Sequence, residues 1–265
     1  MGFNSSMPPG VKLLLTANVA VFLISLVGSI FIRGFAELID HLFGLQPIAV
    51  FHGYIWQLFT WMFLHADFSH IGFNMLSLWM FGVVLEGTWG TRRFLRYYFI
   101  CGVGSGICVV LGALIFHQLA TVTVGASGAI FGVLLAFGIM YPNAPVLMFF
   151  VFPVPARYFV IFMGAISFFF VASGSSGNVS HVAHLGGILV GYLYMRAAGF
   201  TGSSTFRIGR FGGYGTGGYG GYGSSRRSRF SMDSLRQKYQ DWNRRRLRKK
   251  FEVYMRDNDR NDHIN

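Results

Sequence analysis

Apolar positions gather in six long, nearly uncharged runs, at residues 13–32, 71–85, 94–116, 127–140, 156–172 and 182–198. Runs of this kind predict helices that are apolar all round. About 20 residues cross a bilayer core upright, so several runs are short for a span, the fourth and sixth among them. Residues 34–69 are polar in places but rich in aromatics (Phe51, Tyr54, Trp56, Phe59, Trp61, Phe63). A segment so long and so apolar is not a free linker, and it is expected to lie partly in the membrane interface, propped on the helices. In residues 143–155 three prolines surround an apolar VLMFFVF run, which predicts a short strand or a re-entrant segment. Past residue 200 the pattern changes: residues 212–223 read GGYGTGGYGGYG, a flexible linker composition, and residues 232–257 read as a basic helix. The predicted class is an all-α polytopic membrane protein with six transmembrane helices. Its organisation is a cytoplasmic start (1–12), the bundle (13–200), a flexible linker (201–231) and a basic tail (232–265).

Composition agrees. Hydrophobic residues make up 53% and charged residues 12%, against about 25% charged in a soluble domain, and mean hydropathy is +0.48. That surplus excludes a soluble enzyme and a disordered chain. The net charge of +12 divides into +3 for residues 1–201 and +9 for the remainder. Basic residues just past the last apolar run point to anionic lipid, not nucleic acid, as the partner of the tail. With both termini cytoplasmic, Lys12, Arg92, Arg93, Arg96, Arg157 and Arg196 fall inside and only Arg33 falls outside, as the positive-inside rule requires. Residues 1–12 lack a signal-peptide pattern, so the first run is expected to be retained. The absence of organelle signals favours a bacterial plasma membrane. Cys101 and Cys108 are seven apart on one run, roughly 10 Å along a helix, too far for a disulfide.

Polar groups inside a membrane are costly and call for a reason. Three runs begin with such groups: the second with His70-Ile-Gly-Phe-Asn74, the fourth with Gly125-Ala-Ser127-Gly128, and the sixth with Ala183-His184-Leu-Gly-Gly187. Alternating topology puts these three starts on the same, outer side, where Ser127, His184, His70 and Asn74 are able to converge. The fourth run spans only ~21 Å, which sinks Ser127 below the surface and demands a water-filled cavity. Serine is a weak nucleophile until a base takes its proton, and His184 is the candidate base. The Asn74 amide, His70 and the Ser127 backbone N–H are candidate donors to an oxyanion. Glu86 lies about 24 Å from His70 along its helix and cannot complete a triad, so the expected machinery is a Ser–His dyad. Gly128 and Gly132, with Gly187 and Gly191, form two small-residue faces that let helices approach closely, and Phe131 is placed to pack on the His184 ring. His181 and His184 stand three apart but lack a metal-binding pattern and a nearby carboxylate. No metal or cofactor is expected.

Together these residues resemble the rhomboid family of intramembrane serine proteases. The resemblance covers about residues 50–198. It rests on His70-x-x-x-Asn74, Gly125-x-Ser127-Gly128, Ala183-His184-x-x-Gly187-x-x-x-Gly191 and Glu86-Gly-Thr-Trp-Gly90-x-x-x-Phe94. It implies a rhomboid-like bundle that cleaves transmembrane proteins near the outer membrane boundary. Ser127 would be the nucleophile and His184 the base. Asn74, His70 and the Ser127 amide would form the oxyanion hole, with Gly125, Gly128, Phe131, Gly187 and Gly191 in support. Phe131 stands where some members carry a tyrosine, so ring stacking is kept and a hydroxyl is lost. The tail falls outside the resemblance. The rival reading is a non-proteolytic relative that binds membrane proteins or serves their quality control, and a transporter is a third class.

Overall fold

A computed structural model describes residues 7–148, 151–173 and 178–200. The expectations for the start of the chain before residue 7, for the linker and for the basic tail, anionic-lipid binding included, concern residues outside this set. Among the described residues six helices of 14 or more residues overlie the six apolar runs, and three short α-helices, a 3-10 turn at Trp61–Phe63 and a hairpin fill the connections. The elements are α1 (Pro9–Phe31), α2 (Phe35–Phe43), α3 (Pro47–Phe51), α4 (Gln57–Thr60), α5 (Phe68–Trp89), α6 (Thr91–Ile115), α7 (Ser127–Met140), β1 (Pro145–Met148), β2 (Phe152–Pro155), α8 (Ala156–Ala172) and α9 (Asn178–Ala197). Three of them, α1, α5 and α6, are long and apolar enough to cross a membrane by length and composition.

Four of the long helices, α1, α5, α6 and α9, begin three or four residues before their predicted runs. The sixth long helix is not short: α9 has 20 residues and begins four positions earlier than predicted. The second, α5, has 22 residues instead of 15. The first turns added to α5 and α9 carry polar residues, which hydropathy trims and hydrogen bonding retains, and α5 also continues four residues past its run, from Glu86 to Trp89. At the start of α5 the Asp67 carboxylate accepts the His70 backbone N–H at 2.8 Å and the Ser69 hydroxyl at 2.5 Å. This cap holds one of the donors that a helix start leaves free. It also keeps the Asp67 carboxyl below the ordinary range, the Ser69 hydroxyl contributing most.

Polar groups tie the far end of the bundle together. Glu86, near the end of α5 and almost fully buried, accepts the first free N–H groups of α1, Gly10 at 2.8 Å and Val11 at 2.7 Å. It also takes the Thr91 hydroxyl at 2.6 Å. A carboxylate at a helix N-terminus is favoured by the dipole as well as by its hydrogen bonds, so one side chain clamps α1, α5 and α6. The turn between α5 and α6 passes through Gly90 at φ +77° and ψ 156°, a conformation that suits only glycine.

The aromatic segment between α1 and α5 is propped on the bundle as expected. Its α2 ends in carbonyls that α4 satisfies from the side: His41, Leu42 and Phe43 accept from Gln57, Trp56 and Thr60 at 2.9, 2.9 and 2.7 Å. Leu45 and Thr123 exchange two backbone hydrogen bonds, both 2.9 Å, which fastens the segment to the approach to α7. Trp61 and Met62 are buried in the core. The proline-rich connection forms an antiparallel β1–β2 hairpin, with Pro145 opposite Pro155, so the strand expectation holds there.

The core lies where α7 meets α6 and α9. Many large apolar side chains face outward, among them Ile24, Ile30, Phe73, Leu111, Phe168 and Phe169. Soluble proteins rarely expose such continuous apolar surface, whereas a hydrocarbon environment stabilises it. The glycine faces bring α7 and α9 into backbone contact. A methyl group on Gly187 would overlap the Gly128 carbonyl, and one on Gly191 would lie 3.2 Å from the Gly132 Cα. The Tyr97 hydroxyl on α6 donates to the Gly132 carbonyl at 2.7 Å and locks the third helix onto this pair.

Candidate active site

The starts of α5, α7 and α9 meet at one end of the bundle around a cavity of about 350 Å³, and Ser127, His184, His70 and Asn74 all line it. The positions scattered over 115 residues of sequence are therefore together in space. Ser127 is the first residue of α7, so its backbone N–H has no acceptor within the helix. Its hydroxyl Oγ lies 2.9 Å from His184 Nε2 on α9, within hydrogen-bond reach for proton transfer. The His184 ring is stacked on Phe131 with centroids 4.1 Å apart and planes 3° from parallel. Phe131 is one turn beyond Ser127, so a single helix presents the hydroxyl and the platform for its partner.

The two side-chain candidates for oxyanion donors, Asn74 and His70, line the cavity from α5. The Asn74 amide Nδ2 is buried and has no hydrogen-bond partner, a condition that costs free energy unless something occupies the site. His70 Nδ1 faces the Ala66 backbone N–H at 3.4 Å and is therefore the accepting nitrogen of that ring. The proton is then on Nε2, and Nε2 is the atom that approaches Gly125: a Cβ there would stand 2.6 Å from it and 3.8 Å from Asn74 Nδ2. Gly125 itself has φ +126°, so glycine is required for both its conformation and the room it leaves.

Side chains to which the sequence assigned no part in the site also shape it. The Trp61 carbonyl accepts the Gly125 N–H at 2.9 Å, while its indole would be 3.2 Å from a methyl on Gly128. Trp61 thus anchors the turn that delivers Ser127; the aromatic-rich pattern of its segment was the available signal. Ser167 on α8 lies 3.4 Å from His184 Nδ1. It is a buried hydroxyl within an apolar run, the kind of residue that membrane cost makes noteworthy. His65 packs edge-on against His70 with centroids 5.1 Å apart. Burial, then the neighbouring His70, pushes the His65 imidazole down from 6.5 to about 4, so it is neutral at physiological pH. His181 meets His184 edge-on at 5.6 Å. Among the described residues no three His, Cys, Asp or Glu side chains cluster as a metal site would require. Cys101 and Cys108 are free thiols.

Comparison with known proteins covers the part of the chain that carries this geometry. A family model described as the Rhomboid domain matches residues 52–199. The mitochondrial Rhomboid protein 1 of Saccharomyces cerevisiae is 39% identical over 140 residues, 50% of this chain and 38% of that one. YdcA of Bacillus subtilis is 33% identical over 148 residues, 55% of this chain and 68% of that one. Rhomboid protease GluP, also of Bacillus subtilis, is 30% identical over 151 residues, 57% of this chain and 27% of that one. The matches thus span well under half the length of Rhomboid protein 1 and of GluP. The matched domain and the outward-facing apolar helices make this an integral, multi-pass membrane protein. The domain match covers more than half of the sequence, and the chain belongs to the rhomboid family.

Proposed function

We propose that the chain is an intramembrane serine endopeptidase that cleaves transmembrane protein substrates near the outer membrane boundary with a Ser127–His184 dyad. The observation that carries this reading is the 2.9 Å approach of Ser127 Oγ to His184 Nε2 inside a cavity on membrane helices. In the proposed reaction the Ser127 hydroxyl donates its proton to His184 as Oγ attacks the scissile carbonyl. The negative charge that develops on the carbonyl oxygen is met by the Asn74 amide, His70 Nε2–H and the Ser127 backbone N–H, fixed donors of the type that stabilise a tetrahedral intermediate. His184 then passes its proton to the leaving amine. A water entering the cavity, deprotonated in turn by His184, releases the acyl group and restores Ser127. Phe131 keeps the imidazole plane aligned, and Gly125, Gly128, Gly187 and Gly191 keep the two helices close enough for the dyad to form.

Charge supports an orientation with both termini in the cytoplasm, because Lys12, Arg92, Arg93, Arg96, Arg157 and Arg196 then mark the inner side. The Bacillus subtilis relatives support a bacterial plasma membrane, with the basic tail on anionic lipid. The mitochondrial name of the yeast relative favours an organellar membrane as the rival placement. The test of function is cleavage of a model transmembrane substrate by the purified full chain. The wild type is expected to cut it, and folded Ser127→Ala and His184→Ala variants are expected not to. Binding of the substrate without cleavage by the wild type would replace this reading with a non-proteolytic membrane-protein binding role.

A further inference from the structure

We infer that Ser167 is a positioning residue for the dyad, holding the His184 ring in the tautomer that leaves Nε2 unprotonated toward Ser127. The inference rests on the dyad reading above and adds a third, uncharged member to it.

The argument is one of proton counting. A neutral imidazole carries one N–H, and only the nitrogen without it accepts the serine proton. His184 Nε2 faces Ser127, so a base requires the ring proton on Nδ1. In a triad a carboxylate enforces this by accepting from Nδ1–H. Among the described residues no carboxylate hydrogen-bonds to His184. The group at Nδ1 is instead the Ser167 hydroxyl, with Oγ 3.4 Å away and the side chain almost fully buried on α8.

A hydroxyl would serve either tautomer if its own proton were free. Here the same Oγ is 3.0 Å from the Met163 carbonyl, one helical turn back. A carbonyl only accepts, so the single Ser167 proton is directed to Met163. What Oγ then offers His184 is a lone pair, which an Nδ1–H is able to use and a bare Nδ1 is not. The ring is thereby held on three sides: Ser127 at Nε2, Phe131 across one face, Ser167 at Nδ1. The 3.4 Å separation is long for the resting state, and such contacts shorten in the reacting complex. As His184 takes the proton of Ser127, the imidazolium Nδ1–H becomes a charge-assisted donor. Ser167 thus favours the reactive tautomer before attack and accepts from the cation after it.

The readout is the ring itself. Full-length protein carrying 15N-labelled histidine in detergent, at a pH where the imidazole is neutral, reports which nitrogen bears hydrogen. His184→Gln identifies the resonances of His184 among those of the other histidines. The wild type is expected to show a protonated Nδ1 and an unprotonated Nε2. Ser167→Ala should mix the tautomers and lower kcat about tenfold, the weight of one hydrogen bond, with KM unchanged. Ser167→Thr should restore both, and Ser167→Val, nearly isosteric with the threonine variant but without a hydroxyl, should not. A wild-type His184 protonated on Nε2 overturns the inference by itself, whether or not any variant folds. So does a Ser167→Ala protein with wild-type tautomer and kcat. Because the spectrum needs no substrate, a wild type that fails to cleave but shows the tautomer and its loss in Ser167→Ala overturns the proposed activity and leaves the positioning role standing.

Discussion

Replacing Gly187 with alanine tests whether close approach of α7 and α9 sets the dyad. The new methyl carbon would lie 2.9 Å from the Gly128 carbonyl carbon and 3.4 Å from its Cα, with the carbonyl oxygen nearer still. Carbon atoms rest about 3.5–4.0 Å apart, and the obstacle is backbone, which cannot rotate aside. The helices must therefore part by roughly 1 Å. Ser127 immediately precedes Gly128, and His184 is less than one turn from Gly187, so the dyad absorbs most of this shift. Its hydrogen bond is 2.9 Å and would stretch to roughly 4 Å, beyond the range in which it counts as one. A misplacement of this size costs about 10²-fold in rate, and the overpacking costs about 1–3 kcal/mol of stability. The assay is cleavage of a model transmembrane substrate, with kcat and KM separated, alongside thermal unfolding. Gly87→Ala is the control, because a methyl there meets nothing within 4 Å and alanine suits a helix better than glycine. A folded Gly187→Ala enzyme with wild-type kcat would refute the claim that this contact sets the Ser127–His184 distance.

Other predictions concern the donors, the clamp and the neutral histidine. Asn74→Ala should lower kcat by about 10²–10³ with KM nearly unchanged, as loss of one oxyanion donor does; an effect on KM alone would reassign Asn74 to substrate positioning. Glu86→Ala should leave the Gly10 and Val11 N–H groups and the Thr91 hydroxyl without their acceptor. That should destabilise the fold by roughly 3 kcal/mol or more, read as a fall in Tm, and an unchanged Tm would dismiss the clamp. His65 is held neutral in the fold down to about pH 4 against an ordinary 6.5, so between those values the unfolded chain binds the extra proton. Its contribution to stability is therefore full above pH 6.5 and is lost as pH falls toward 4. His65→Gln should flatten the dependence of Tm on pH in that window, and an identical slope in both proteins would count against it.

How much was readable in advance differs element by element. Helices α7 and α8 match their apolar runs to the residue, because Gly125 and a proline-rich turn punctuate them sharply. The first turns of α5 and α9 were missed because they carry polar residues, which a hydropathy reading excludes from a span. In α5 those residues include the Ser69 and His70 of the Asp67 cap. The Ser127–His184 juxtaposition was legible because alternating topology restricts which helix ends share a side. The glycine contact was legible because small residues recur at one-turn spacing. Glu86 could be excluded from the site by length along its helix, yet its clamp on α1 could not be foreseen, since Gly10 and Glu86 meet only when α1 folds back. Ser167 was hidden for a similar reason. Nothing along α8 tells which face of that helix turns toward α9, and the serine became significant only through the nitrogen it meets.

The central claim is that Ser127 is a nucleophile activated by His184, and covalent capture tests it most directly. Full-length protein treated with a serine-reactive fluorophosphonate is digested, and the modified residue is located by mass spectrometry. A single adduct on Ser127 is predicted in the wild type, with no adduct in Ser127→Ala and strongly slowed labelling in His184→Ala. Absence of the adduct from folded wild-type protein, or equal labelling in His184→Ala, would contradict the account.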